Sequence, residues 1–166
     1  MEEMASINIL TKESASKLIT LREGETKFGQ QVHYLENIEN LEEKIYKSSA
    51  QFVLFGIKED IGVTANCGKK GAKNTWDFAL RSILNTQNNC FNDGSKVLIL
   101  GYLEFPNLYK SLQNDENSVE LDKYRKAVES IDKSVTELVN LIQKAGKFHV
   151  SIGGGHNNAY GNIKGM

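Results

Sequence analysis

The residues best equipped for chemistry form one run, Gly153-Gly154-Gly155-His156-Asn157-Asn158, followed by Ala159-Tyr160-Gly161. Three glycines let a backbone turn sharply and approach a ligand closely. The histidine behind them brings an imidazole, the commonest metal ligand and the usual general base. A second polar, glycine-rich stretch runs from Gly56 to Gly71 and holds Asn66-Cys67-Gly68-Lys69-Lys70. For a lone histidine the simpler reading is a hydrogen-bonded structural residue. His33 and His149 have weaker claims than His156; His149 lies inside an apolar run, on the opposite side from Phe148. Familiar signatures narrow the chemistry. Asn158 stands where the last glycine of G-x-G-x-x-G would fall, and Walker A, G-x-S-x-G, H-E-x-x-H and zinc-spaced Cys/His patterns do not occur.

Those segments need elements to position them. Phe52-Val53-Leu54-Phe55-Gly56-Ile57 and Val97-Leu98-Ile99-Leu100 are continuous apolar runs, and Phe148, Val150 and Ile152 begin a third. Such runs read as strands of a parallel sheet buried on both faces. Between them the period changes to helical. Leu35, Ile38, Leu41 and Ile45 predict a helix starting at Tyr34, with Glu36, Glu39, Glu42 and Glu43 on its solvated side. Asn74 and Asp77 suit the start of a helix whose buried face is Phe78, Leu80, Ile83 and Leu84. A long helix carries Leu121, Tyr124, Val128, Ile131, Val135, Leu138 and Ile142 and is closed by Gly146. Its spacing suits a crossover helix on a sheet better than a coiled coil. Residues 104–118, with Pro106, read as a polar loop, and Asn92-Asp93-Gly94 as a turn. The alternation predicts an α/β fold with a parallel sheet between helices, over residues 34–166, preceded by a weakly structured arm at 1–33. In such sheets ligands bind beyond the carboxyl ends of the strands, where both glycine-rich segments fall.

Composition sets the class. The chain has 166 residues, 40% hydrophobic and 25% charged, the size and make-up of one globular domain. Lys and Arg number 20 against 21 Asp and Glu, which gives no prior for nucleic acid or an anionic membrane. Cys67 and Cys90 are too few for a disulfide framework. No apolar run approaches the roughly 20 residues of a membrane helix, and the acidic start is unlike a secretion signal. A cytoplasmic protein is the expectation.

From Phe52 to Gly165 the sequence resembles the N-terminal part of the arginase, agmatinase and formimidoylglutamase family of ureohydrolases, closest to its formimidoylglutamase-like members. One carrier is Gly56-Ile57-Lys58-Glu59-Asp60-Ile61-Gly62-Val63 with Asn66-Cys67-Gly68-Lys69-Lys70-Gly71-Ala72, similar to the family's G-V-x-x-N-x-G-R-x-G-A loop. The other is Ile152-Gly153-Gly154-Gly155-His156 with Ala159-Tyr160-Gly161, similar to the G-G-G-H element.

The resemblance implies a three-layer α/β/α sandwich of which this chain supplies three strands, the first lying between the second and third. It implies a hydrolase with two manganese ions sharing a hydroxide, made nucleophilic near neutral pH by the metals. Attack on the planar carbon of a linear amidine or guanidino group would expel an amine or ammonia. His156 would be a manganese ligand; Asn66, Gly68, Lys69, Asn157 and Asn158 would contact the substrate. The family's other ligands come from D-x-H-x-D and D-x-D elements further along, and neither occurs in the 166 residues. Lys69 replaces the loop's usual arginine, and Asn157 a position that is often acidic, which leaves the substrate between formimidoylglutamate-like and arginine- or agmatine-like. The chain therefore reads as a fragment, inactive alone, with an apolar third-strand edge open to self-association. The alternatives are a non-catalytic interaction or regulatory remnant of the fold, and a generic anion-binding α/β module.

Overall fold

The run from Val53 to Ile57 is fully apolar because it lies at the centre of a sheet, and all five of its residues are buried. The computed structural model describes residues 5–113 and 121–166. In chain order the elements are β1 (Ser6–Ile9), α1 (Lys12–Ser16), α2 (Phe28–Gln31), β2 (His33–Tyr34), α3 (Leu41–Lys47), β3 (Phe52–Lys58), α4 (Ile61–Ala65), α5 (Thr75–Leu84), β4 (Val97–Glu104), α6 (Pro106–Gln113), α7 (Leu121–Lys144), β5 (Phe148–Ile152) and α8 (Asn158–Gly165). The sheet order is β1-β4-β3-β5, with β2 also on β4. The three expected strands are parallel, with β3 between β4 and β5. Phe52 lies opposite Phe148, and Gly56 opposite Ile152.

Alternate side chains of β3 enter different cores. Val53, Phe55 and Ile57 pack with Leu98, Leu100, Ile131, Val135, Val139 and Ile142 under α7. Leu54 joins Ile99, Phe28, Trp76, Leu80 and Leu84 under α2 and α5. Helices therefore cover both faces, as the continuous apolar runs require. Gly56 makes room for the indole: a Cβ there would lie 2.3 Å from Trp76 Cδ2. α7 buries Ala127, Ile131, Val135, Leu138, Val139 and Ile142 along one stripe and lies on the sheet as a crossover. Gly146, at φ +71°, ends it with Gly146 N–H on Gln143 O and Lys147 N–H on Ile142 O.

Several expectations are corrected. The sheet is mixed, not parallel throughout, because β1 runs antiparallel to β4 and pairs Ser6 with Glu104. Residues 1–33 do not form a weakly structured arm where they are described: they supply β1, α1 and α2, with Ala15 and Phe28 in the core. The helix expected from Tyr34 begins only at Leu41. Asn40 adopts φ 52°, a left-handed conformation that no helix passes through, and Tyr34 is paired in β2. Along α5 the buried side chains are Trp76, Leu80 and Leu84, while Phe78 is 75% exposed. Asn74 makes no capping bond, and Asp77 instead takes Lys58 Nζ at 2.8 and 3.0 Å. Pro106 opens α6, where its missing N–H costs nothing. The rest of the expected loop, 114–118, lies outside the described residues. β4 continues past Gly101 to Glu104 through a register shift. There Leu54 faces Ile99 and Phe55 faces Gly101, which has φ +124° and where a Cβ would lie 2.0 Å from Asn8 O. Among the described residues no helix is long and apolar enough to cross a membrane.

Candidate functional site

The carboxyl ends of β3 and β5 are joined through Glu59. Glu59 follows β3 directly and is fully buried. Its Oε1 accepts Gly155 N–H at 2.6 Å and Asn158 Nδ2 at 2.6 Å, and its Oε2 accepts Gly62 N–H at 2.9 Å. Such charge-assisted bonds to N–H groups satisfy a buried carboxylate without a lysine or arginine. The clamp sets the shape of the turn after β5. Gly153 and Gly154 have φ of +93° and +74°, and a Cβ on Gly154 would stand 2.3 Å from Asn158 Nδ2 and 3.0 Å from Glu59 Oε1. Only glycine meets both conditions.

The turn presents His156 outward. Its side chain is exposed, and its ring makes no hydrogen bond among the described residues. Asn157 turns inward instead. Its Oδ1 lies where a Cβ on Gly62 or Gly155 would be, at 1.9 and 2.4 Å, and neither atom of its buried amide has a partner. Asn158, 4% exposed, gives its Nδ2 to Glu59 and to Gly155 O, and its Oδ1 is also buried without a donor.

The second segment meets the first through α4. Gly155 packs on Val63, with Val63 N 3.1 Å from the place of a Gly155 Cβ, and Gly68 N–H bonds Val63 O at 2.8 Å. Gly68 is thus brought near the turn. Asn66, at the end of α4, and Lys69 are exposed, and their side chains make no hydrogen bonds among the described residues. Asp60, 7% exposed, accepts Tyr109 O–H at 2.8 Å and Gly71 N–H at 3.0 Å, which ties the lysine loop down. Burial, with Asp60 and Glu59 nearby, pushes the Tyr109 hydroxyl well above its usual range, so it remains a donor. Lys73 lies 4.1 Å over the Tyr109 ring. His33 bonds Ser95 O through Nε2 at 2.8 Å. His149 contacts Gln143 Nε2 through Nδ1 at 3.1 Å, and burial lowers its pKa. Both are structural histidines.

Glu59 and Asp60 had one signal in the sequence, two acids at the exit of a buried strand. Asp132 had none. It sits on α7 next to buried Ile131, its Oδ1 is buried without a partner, and burial together with the charge of Glu59 raises its carboxyl to about 6.

Two manganese ions need several carboxylate oxygens. Among the described residues no three His, Cys, Asp or Glu side chains come together as such a set. Glu59 and Asp60 are occupied by N–H and O–H donors, and His156 stands apart as an imidazole open to a metal. These residues by themselves do not fit the binuclear centre. Comparison with known protein families, with curated proteins and with solved structures returns no match to this chain.

Proposed function

We propose that this chain carries the first-ligand segment of a manganese-dependent hydrolase that cleaves a C–N bond of a linear amidine, with the other ligands lying outside the described residues. One observation carries the reading: a glycine turn at a parallel strand end, clamped by Glu59, exposes the His156 imidazole with both ring nitrogens uncommitted. The sequence likeness of that turn and of the Asn66–Gly71 loop supplies the reaction class. In this reading Glu59 is a positioning residue that fixes the His156 turn, and Asn66, Gly68 and Lys69 form the rim that meets substrate. The test is addition of Mn²⁺ to the isotope-labelled chain. Paramagnetic broadening is expected at the amides of residues 155–158 and should vanish in His156→Ala; broadening unchanged by that substitution, or none, overturns the reading. The chain alone should hydrolyse neither formimidoylglutamate, arginine nor agmatine.

A second reading, an interaction module that self-associates, is favoured by β5. Its Phe148 is 65% and Val150 43% exposed, and on the described path it pairs only with β3. Phe148-His149-Val150-Ser151-Ile152 contains no lysine, carboxylate or proline to block a second copy from pairing along it.

A further inference from the structure

Two sides of α7 are covered and a third is open. Its buried stripe lies on the sheet, and α8 packs on the flank that carries Asp132, Val135, Thr136 and Val139. About half a turn round the helix from α8, Ser134, Glu137, Leu138, Leu141, Lys144 and Ala145 follow at spacings of three and four, and they wall two cavities. One, of about 310 Å³, has Ala5, Ile7, Ile38 and Leu103 across from α7. The other, of about 560 Å³, has Leu41, Glu42, Glu43 and Tyr46 of α3. Leu141 lines both, so the two make one trough. From Ser134 to Ala145 it follows α7 for roughly 16 Å, three turns at 1.5 Å per residue. Ile7, Leu41 and Leu141 are half-buried at the margin of the core, while Ile38 is 45% and Tyr46 68% exposed.

The trough has a charge as well as a shape. Among the described residues that line it, Glu42, Glu43 and Glu137 stand against Lys144. Glu137 also faces the cavity on the α8 side, where Lys133 and Lys164 lie, so the acidic character comes from the α3 side. There Glu36 and Glu39, both exposed, flank Ile38, and Glu42 follows; Lys47 is paired with Glu43, and Lys44 is bonded to Asn37 O. A helix fits such a trough, because the ridge Glu137-Leu141-Ala145 offers the i, i+4 spacing on which a second helix packs. We propose that the trough between α7 and α3 is a docking groove for a basic amphipathic helix of a partner protein, about three turns long. Its apolar anchors, spaced i, i+4 and i+7, would cover Ile7, Ile38, Leu41 and Leu141, and its lysines or arginines would meet Glu36, Glu39 and Glu42. The groove lies across α7 from α8 and does not depend on the hydrolase reading.

The probe is a labelled synthetic helix of about 14 residues, with leucines at i, i+3, i+4 and i+7 and lysines elsewhere; a control peptide carries glutamates in place of the lysines. Fluorescence anisotropy with the full chain at low salt should show saturable binding of the lysine peptide, at least about tenfold tighter than the glutamate peptide and weakened by added salt. Amide shifts in NMR should centre on Ile7, Ile38, Leu41 and Leu141. Ile38→Lys combined with Glu42→Lys changes two exposed positions, so the variant should fold, and it should bind at least about tenfold more weakly. His156→Ala should leave binding unchanged. Four results overturn the proposal: no saturable binding, equal binding of the two peptides, shifts that fall on β5 and not on the trough, or binding that survives the double substitution. Shifts in the trough that grow with chain concentration and no peptide also overturn it, since the occupant is then a second copy.

Discussion

At the scale of single residues, Glu59 matters more than the histidine it serves. A glutamine in its place keeps the shape but cannot accept at both oxygens. One of its three N–H partners, Gly155, Asn158 or Gly62, then faces an amide NH₂. Hydrogen bonds to a charged group contribute about 1.5–3 kcal/mol each, so Glu59→Gln should destabilise the chain by about 2–4 kcal/mol in urea unfolding. Amide exchange at Gly155 should speed up well before global unfolding. A Glu59→Gln protein of unchanged stability would show that the turn holds itself. The sequence made His156 conspicuous, since glycines before a histidine are rare punctuation. It hid Glu59, because an acid at a strand end looks like any solvated charge. Only the neighbour that arrives from residue 155 reveals it as buried.

At the scale of elements, the three parallel strands β3, β4 and β5 are legible in the sequence, and the short helices and the short strands β1 and β2 are not. Val53 to Ile57 and Leu98 to Leu100 are buried on both sides, and a continuous apolar run reports that directly. The apolar period overshoots α3 because Leu35 is indeed buried, but next to β2 and not on a helix; Asn40 breaks the period without a glycine or proline to announce it. α4 and α6, five and eight residues long, carry too few apolar positions to show a period. β1 is not legible because Ser6–Ile9 has only two apolar residues and is stabilised by pairing with β4. The docking of α8 on α7 depends on absent side chains. A Cβ on Gly161 would stand 2.8 Å from Val135 Cβ and 2.9 Å from Asp132 O. Gly161→Ala should therefore cost about 1–3 kcal/mol despite its better helix propensity, with the loss confined to α8 in exchange measurements. Stabilisation by that substitution would mean that the two helices are not in contact in solution.

At the scale of the whole molecule, the described surface is unevenly finished. The α7 side of the sheet is thickly covered, whereas β5 shows Phe148, stacked 5.7 Å from Phe52, to solvent. If a second copy covers it, sedimentation should show dimer growing with concentration, and Val150→Lys should return the chain to monomer. A wild-type chain that stays monomeric at high concentration removes the interaction reading. The general α/β architecture followed from the order of apolar runs. The mixed sheet did not, since the direction of an edge strand is set by where its partner leaves space.

The Glu59 clamp also fixes an order in time. Glu59 meets Gly155 and Asn158 across 96 and 99 positions of chain. Contacts that distant are made only after the loop between them has been closed, at an entropic cost that nearer contacts do not bear. β3 and β4 can pair while β5 is still unstructured. Until β5 docks, Glu59 is a wet carboxylate at a strand end, and the glycine turn has no reason to prefer its left-handed conformation. The glycine turn and its histidine therefore take their shape only once β5 has docked on β3, and every contact that holds them is long-range.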